Sequence, residues 1–140
     1  MIRKLAAMVL VGTTSLAGCH SLMGKKPTGD AVKIVSVTDV AGLIKAKSAV
    51  IVDANGGETR QKYGVVPGAL LLTDHKNYPL SVLPQEKATK LVFYCGGLMC
   101  RASDAAAERA SNAGYTDVNV MREGIKGWAN AGQPTSVPQS

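Results

Sequence analysis

The sequence is poor in aromatic residues, in charged residues and in cysteine, and each shortage excludes a class of protein. Aromatic side chains make up 4% of its 140 residues, which leaves few platforms for stacking nucleic-acid bases. Charged residues make up 19% and hydrophobic residues 46%, a balance that excludes extensive disorder. Three cysteines are too few for a disulfide-rich scaffold. We therefore expect one domain with an ordinary core and no nucleic-acid partner.

The sequence also lacks a hydrophobic run long enough to cross a bilayer. A basic start, Met1–Lys4, leads into an apolar and small-residue run at Leu5–Ala17. That run has about 13 residues, whereas a membrane-spanning helix needs about 20, and its size is typical of a secretory signal. It ends in Leu16-Ala17-Gly18-Cys19, which resembles the lipobox of bacterial lipoproteins. The resemblance implies that residues 1–18 are a signal peptide and that Cys19 is acylated.

The lipobox resemblance also predicts where the protein resides. Residues 19–31 contain Gly, Pro and polar residues without periodicity, which predicts a flexible tether. His20, and not Asp, follows Cys19, so the usual inner-membrane retention signal is missing. We expect a cell-envelope protein held by its lipid on the periplasmic face of the outer membrane. The net charge is +6, but Arg3 and Lys4 would leave with the signal. Because the charge that remains is modest, we expect an anionic partner to be a small ion and not a nucleic acid.

Residues 32–134 alternate short apolar runs with amphipathic segments, the pattern of a parallel sheet flanked by helices. We predict strands at residues 32–37, 49–52, 69–72, 91–94 and 118–121. We predict helices at residues 38–45 (capped by Thr38), 58–63, 101–113 and 125–131, and a helical turn at 84–89. The fold class is therefore α/β, a single domain with a five-stranded, mainly parallel sheet, followed by a tail at 135–140.

The chemistry of the sequence concentrates at Cys95, which follows the strand at 91–94. Gly96-Gly97-Leu98-Met99-Cys100 comes next, and then Arg101 and the Ala-rich helix. We expect the two glycines to let the loop curl with its N–H groups inward, and the helix to point its positive end at the same place. Together with Arg101 these effects favour a thiolate at Cys95. The lone His75 has no partner of its kind, so no metal site is predicted.

Four groups of residues in the domain together match the pattern of a known family. They are Asp53, Glu58 and Gly64–Ala69; Phe93-Tyr94-Cys95 with the helix after it; Gly114-Tyr115; and Arg122-Glu123-Gly124-Ile125-Lys126-Gly127-Trp128. On these residues the domain resembles a rhodanese over residues 34–134. The resemblance implies a sulfurtransferase in which Cys95 takes the outer sulfur of a donor such as thiosulfate, a small sulfur-containing anion. The resulting persulfide passes its sulfur to cyanide or a thiol. Residues 96–99 would bind the substrate, and no cofactor is required.

Three departures from the rhodanese pattern leave alternatives open. Cys100 stands five residues after Cys95, where the family usually has Arg, and Arg101 is one position later. The spacing Cys-x5-Arg is also that of rhodanese-fold phosphatases and arsenate reductases. Cys100 is equally compatible with packing at the helix start, with resolving a persulfide, and with a disulfide. A periplasmic dithiol or sulfur-binding module without turnover is therefore a further alternative. Val65 and Asn55 replace residues that are polar or charged in many relatives.

Overall fold

Five strands form the central sheet of the computed structural model, which describes residues 31–138. They are β1 (Lys33–Ile34), β2 (Val50–Asp53), β3 (Leu70–Leu71), β4 (Leu91–Tyr94) and β5 (Val118–Met121). Their order across the sheet is β1-β5-β4-β2-β3, and every pairing is parallel. This confirms the α/β fold class and makes the sheet wholly, rather than mainly, parallel.

Helices cover both faces of the sheet. They are α1 (Val37–Lys45), α2 (Gly57–Tyr63), α3 (Ala102–Asn112) and α4 (Gly124–Asn130), with one 3-10 turn at Leu80–Val82. On one face the alanines of α3 pack against β4 and β5 together with Tyr78 and Tyr115. On the other face α1 and α4 supply Val40, Ile125 and Trp128. The sheet is therefore buried on both sides, and its central strand β4 is buried at every residue.

The start of α1 differs from the prediction. Ser36, and not Thr38, is the N-cap: its Oγ accepts a hydrogen bond of 3.1 Å from the Asp39 N–H. In return, Asp39 Oδ2 accepts one of 3.0 Å from the Ser36 N–H. This reciprocal capping box satisfies two donors that a helix start otherwise leaves unpaired, so the N-cap lies two residues earlier than expected.

No helix forms at residues 84–89, where a helical turn was predicted, but the segment contains one turn in which the Thr89 N–H donates to the Glu86 carbonyl at 3.2 Å. A 3-10 turn forms upstream at Leu80–Val82, immediately after Pro79. The segment before it is fixed by the Tyr78 N–H, which donates to the Asp74 carbonyl at 3.0 Å. Tyr78 is fully buried and is held by this hydrogen bond, so the 3-10 turn forms directly after it and before Pro84. The Pro84 carbonyl accepts a hydrogen bond of 2.6 Å from the Tyr115 hydroxyl. This bond joins the loop at Pro84 to the segment that precedes β5.

The N-terminal predictions lie outside the described residues. The signal peptide at 1–18, the lipidated Cys19 and all but the last residue of the tether at 19–31 precede residue 31, and the tail is described only to Pro138. The lipid anchor and the envelope location therefore stay predictions from the sequence. Among residues 31–138, none of the helices has the length and apolar character needed to span a membrane.

Candidate functional site

The loop between β4 and α3 carries the predicted nucleophile at the carboxyl end of the central strand. In a parallel α/β sheet this is the edge at which ligands usually bind. Cys95 follows β4 directly and is only 2% exposed, and α3 begins seven residues later at Ala102. Cys95 and Cys100 form a disulfide across the loop, with their Cα atoms 6.3 Å apart. Of the fates left open for Cys100, the structure therefore has the disulfide.

Ser103 is the polar group that touches the Cys95 sulfur. Its Oγ lies 3.3 Å from Cys95 Sγ, and the whole residue is buried. When Cys95 is reduced, this hydroxyl can donate a hydrogen bond to the thiolate, and such charge-assisted bonds are the stronger kind. Ser103 is missing from the predicted site residues. The available signal was a serine in the first turn of the helix that follows Cys95.

Replacing Ser103 with alanine should lower the fraction of Cys95 that is ionised at neutral pH about ten-fold, because the thiolate loses a hydrogen bond worth about 1.5 kcal/mol. Alkylation should slow by only about three-fold, since a less stabilised thiolate is the better nucleophile. The measurement is the rate of Cys95 alkylation by iodoacetamide at neutral pH. It uses a chain that carries Cys19→Ser and Cys100→Ser, so that Cys95 is its only thiol. Ser111→Ala, near the other end of α3, is the matched control. Equal rates for the two variants would rule out a role for Ser103.

The close approach of α4 to the loop holds the loop in place. The Ile125 N–H donates to the Cys95 carbonyl at 2.8 Å, and the Lys126 N–H donates to the Gly96 carbonyl at 3.2 Å. Gly124, at the start of α4, has φ +63° and no space for a side chain. A Cβ there would lie 2.5 Å from the Cys95 oxygen and 2.6 Å from the Gly97 nitrogen. Gly124 is therefore the residue that makes this contact possible.

The expected role of the glycine pair in the loop is wrong in one respect. Neither Gly96 nor Gly97 adopts a positive φ, so the loop does not curl through a conformation that only glycine favours. A Cβ on Gly96 would meet Asn55 Oδ1 at 3.7 Å, an ordinary contact. The loop turns instead through the Cys100 N–H, which donates to the Gly97 carbonyl at 2.9 Å.

A groove of about 630 Å³ opens beside the loop. Its lining includes every predicted loop residue, and the full set is Gly96, Gly97, Leu98, Met99, Cys100, Glu123, Lys126, Gly127 and Asn130. Cys100, and not the buried Cys95, faces this groove. Leu98 is 72% and Met99 95% exposed, so the rim is apolar, and Lys126 is the one cation in the lining. The groove can therefore receive a small anion or the thiol of a larger molecule.

Arg101 lies away from the groove. Its side chain is 74% exposed, and its Nε is 2.8 Å from Asp104 Oδ2. Arg122 approaches the other oxygen of the same carboxylate, with Nη2 at 3.2 Å from Oδ1. In the disulfide state the guanidinium that was expected to assist Cys95 is thus paired at the exposed start of α3.

A buried polar network lies behind the loop, centred on Asp53. The Tyr94 hydroxyl donates to Asp53 Oδ2 at 2.6 Å and accepts from the Val66 N–H at 3.0 Å. Asp53 Oδ1 accepts from the Asn55 N–H at 2.6 Å and lies 3.5 Å from Arg60 Nε. Burial, and next the negative charge of Asp53, raise the pKa of Tyr94 far above its ordinary value. Asp53 therefore anchors the ends of β2 and β4.

Solved structures similar to this chain share its fold. A thiosulfate sulfurtransferase from Pseudomonas aeruginosa has a TM-score of 0.63 at 23% identity, covering 78% of this chain and 21% of its own. A human single-domain sulfurtransferase has a TM-score of 0.57 at 20% identity, covering 71% and 96%. A possible tyrosine phosphatase from Rhodopseudomonas palustris has a TM-score of 0.62 at 24% identity, covering 75% and 85%. No curated protein sequence matches.

The sequence itself matches one family model. The match is to the rhodanese-like domain and runs over residues 36–131, from the N-cap of α1 to the end of α4. It includes all four helices, four of the five strands and the whole loop from Cys95 to Arg101. Since the match covers more than half of the chain and agrees with the parallel sheet described above, this chain belongs to the rhodanese-like domain family.

Proposed function

We propose that this chain is a sulfurtransferase that carries sulfane sulfur on Cys95. The thiolate attacks the outer sulfur of a donor such as thiosulfate. The sulfur–sulfur bond of the donor breaks, sulfite leaves with the electron pair, and Cys95 becomes a persulfide. An acceptor then attacks the outer sulfur, and Cys95 departs as the thiolate. With cyanide the product is thiocyanate, and with a thiol it is a new persulfide.

The observation that carries the proposal is the environment of the Cys95 sulfur. It sits at the end of β4, 3.3 Å from the Ser103 hydroxyl, and the first turn of α3 follows the loop. A hydroxyl and the positive end of an eleven-residue helix both stabilise negative charge there. Such charge is present at two stages, on the attacking thiolate and again on Cys95 when the acceptor takes the sulfur. The same groups therefore assist both half-reactions.

A small anion such as thiosulfate is the donor in this proposal. Lys126 lines the groove next to residues 96–100 and offers a positive charge to such an anion, beside the carboxylate of Glu123. Cys100 lines the groove and is bonded to the Cys95 sulfur in the disulfide. Reduction of the disulfide is therefore the first requirement of the reaction, because it frees the Cys95 sulfur for attack.

A phosphatase is the second candidate, favoured by similarity to the possible tyrosine phosphatase of Rhodopseudomonas palustris and by the Cys-x5-Arg spacing. Phosphoryl transfer from such a loop requires a guanidinium that binds the phosphate oxygens. Arg101 pairs instead with Asp104 and is exposed. The sulfurtransferase needs no such residue, so the proposal favours it.

Sulfur uptake by single-thiol chains tests the proposal. The full chain carrying Cys19→Ser and Cys100→Ser is reduced, freed of reductant and mixed with thiosulfate, and its intact mass is measured. We expect it to gain one sulfur atom and to release an equal amount of sulfite, and cyanide should then remove the sulfur as thiocyanate. The matched chain carrying Cys19→Ser and Cys95→Ser keeps the thiol of Cys100 and should gain nothing.

Three results would contradict the proposal. The first is hydrolysis of an aryl phosphate by the reduced full chain without any sulfur uptake, which would favour the phosphatase. The second is a chain that gains no sulfur but opens and closes its Cys95–Cys100 disulfide reversibly, which would favour a dithiol module. Equal uptake by both single-thiol variants would also exclude Cys95 as the specific acceptor.

A further inference from the structure

We propose that Cys100 is a resolving thiol that attacks the inner sulfur of the Cys95 persulfide and releases hydrosulfide, which gives the protein a sulfide-releasing activity. The inference rests on the proposed function, because Cys95 must first carry a sulfane sulfur. The observation behind it is the disulfide across the loop. That disulfide is the product that such an attack leaves.

The loop brings the two sulfur atoms within bonding reach. The Cα atoms of Cys95 and Cys100 are 6.3 Å apart, inside the usual range for a disulfide. The turn is closed by the hydrogen bond from the Cys100 N–H to the Gly97 carbonyl, so Cys100 approaches Cys95 along the backbone of the same loop. A thiol held at bonding distance reacts far faster than one in free solution. Resolution therefore competes with transfer to an external acceptor.

The step balances in atoms and electrons. The Cys100 thiolate attacks Sγ of Cys95, which is the inner sulfur of the persulfide. The bond between the inner and outer sulfurs breaks, and the outer sulfur leaves with the electron pair and takes a proton as hydrosulfide. Two thiol-level sulfurs are oxidised to the disulfide, and one sulfane sulfur is reduced to sulfide. An external thiol reductant must then reopen the disulfide before the next cycle.

The two cysteines differ in exposure, and this difference determines which sulfur of the disulfide an external thiol attacks. Cys95 is buried at 2% exposure, whereas Cys100 lines the groove beside Leu98 and Met99. An external thiol therefore reaches the Cys100 sulfur first, and Cys95 is the leaving group. Ser103, 3.3 Å from Cys95 Sγ, stabilises the departing thiolate, and a stabilised thiolate leaves faster. A second thiol frees Cys100, and Cys95 returns in the state that accepts sulfur.

A single-turnover experiment tests the inference. The reduced full chain carrying Cys19→Ser is mixed with excess thiosulfate in the absence of other thiols, and sulfite, hydrosulfide and intact mass are followed. We expect about one sulfite and one hydrosulfide per chain, and a final mass two hydrogen atoms below that of the reduced chain. The chain that also carries Cys100→Ser should release sulfite, keep the added sulfur, and yield at least about ten-fold less hydrosulfide.

A displaced thiol provides the matched control. In the chain carrying Cys19→Ser, Cys100→Ser and Ala129→Cys, the thiol moves to an exposed position on α4 that is outside the groove lining. We expect this chain to hold its persulfide as the Cys100→Ser chain does. Rapid hydrosulfide release from it would overturn the inference, because any nearby thiol would then suffice.

The remaining outcomes separate the two proposals. If the Cys100→Ser chain takes up sulfur but the chain with both cysteines also retains it and releases no hydrosulfide, Cys100 does not resolve the persulfide and only the inference fails. If the sulfur is found on Cys100, the outer sulfur was attacked and the inference is likewise wrong. If the Cys100→Ser chain takes up no sulfur, the proposed function itself fails and the inference falls with it.

Discussion

The Gly124→Ala chain is expected to lose about 3 kcal/mol or more of its free energy of unfolding, near the upper end of what overpacking costs. The added Cβ would lie 2.5 Å from the Cys95 oxygen, 2.6 Å from the Gly97 nitrogen and 2.7 Å from the Gly96 carbonyl carbon. All three are backbone atoms, so no side-chain rotation relieves the overlap. The φ of +63° adds about 1 kcal/mol for a residue with a Cβ.

The strain at Gly124 falls on the loop that carries Cys95. If the chain folds, α4 must move away, which lengthens the hydrogen bonds from Ile125 to Cys95 and from Lys126 to Gly96. Sulfur uptake by Cys95 should then fall together with stability. Urea unfolding of the reduced Cys19→Ser chain measures the stability, and intact mass after thiosulfate treatment measures the sulfur uptake.

Gly132→Ala separates the cost of the steric overlap at Gly124 from the cost of its positive φ. Gly132 follows α4 and has φ +73°, but an added Cβ there meets nothing within 4 Å. This variant should lose only about 1 kcal/mol, the cost of the backbone conformation alone. If Gly124→Ala proves no more damaging than Gly132→Ala, the close contact between α4 and the loop does not constrain the site.

The buried central strands were the most predictable part of the fold. β4 and β5 begin and end at the predicted residues, and each is buried at every position with a neighbouring strand on both sides. Asn119 is the one polar exception in the apolar pattern of β5. β1 and β3 are edge strands of two residues each, shorter than the apolar runs that predicted them. An edge strand pairs on one side only, so its length depends on how far its neighbour extends, and a local pattern does not contain that information.

The position of Cys95 in the fold was predictable, but its tertiary contacts were not. A cysteine between a buried strand and a helix was expected at the end of the central strand, and Cys95 lies there. The importance of Gly124 depends on α4 packing against a loop some 30 residues earlier in the chain, and Asp53 meets Tyr94 only when β2 and β4 pair. Arg101 was expected to assist Cys95, but Asp104, three residues later, binds its guanidinium. These contacts arise from the tertiary structure.

Replacing Tyr94 with phenylalanine is expected to lower the free energy of unfolding by about 3 kcal/mol at neutral pH, because both partners of the hydroxyl are left buried and unpaired. Asp53 loses the donor at 2.6 Å, and the Val66 N–H loses its acceptor at 3.0 Å. Both residues are fully buried. Tyr63→Phe is the control, since its hydroxyl makes no side-chain hydrogen bond among residues 31–138 and its loss should cost under about 0.5 kcal/mol.

The deficit of the Tyr94→Phe chain should shrink at alkaline pH. Burial and the charge of Asp53 raise the pKa of Tyr94 in the folded chain, whereas in the unfolded chain a tyrosine ionises near pH 10. Above that pH the unfolded parent gives up a proton that the folded parent keeps, so the parent loses stability by about 1.4 kcal/mol per pH unit from this residue. Phenylalanine has no proton to lose. Urea unfolding at pH 7.5, 10 and 11, with all three cysteines replaced by serine, measures the difference. A deficit that stays constant over this range would mean that Tyr94 is not held protonated against Asp53.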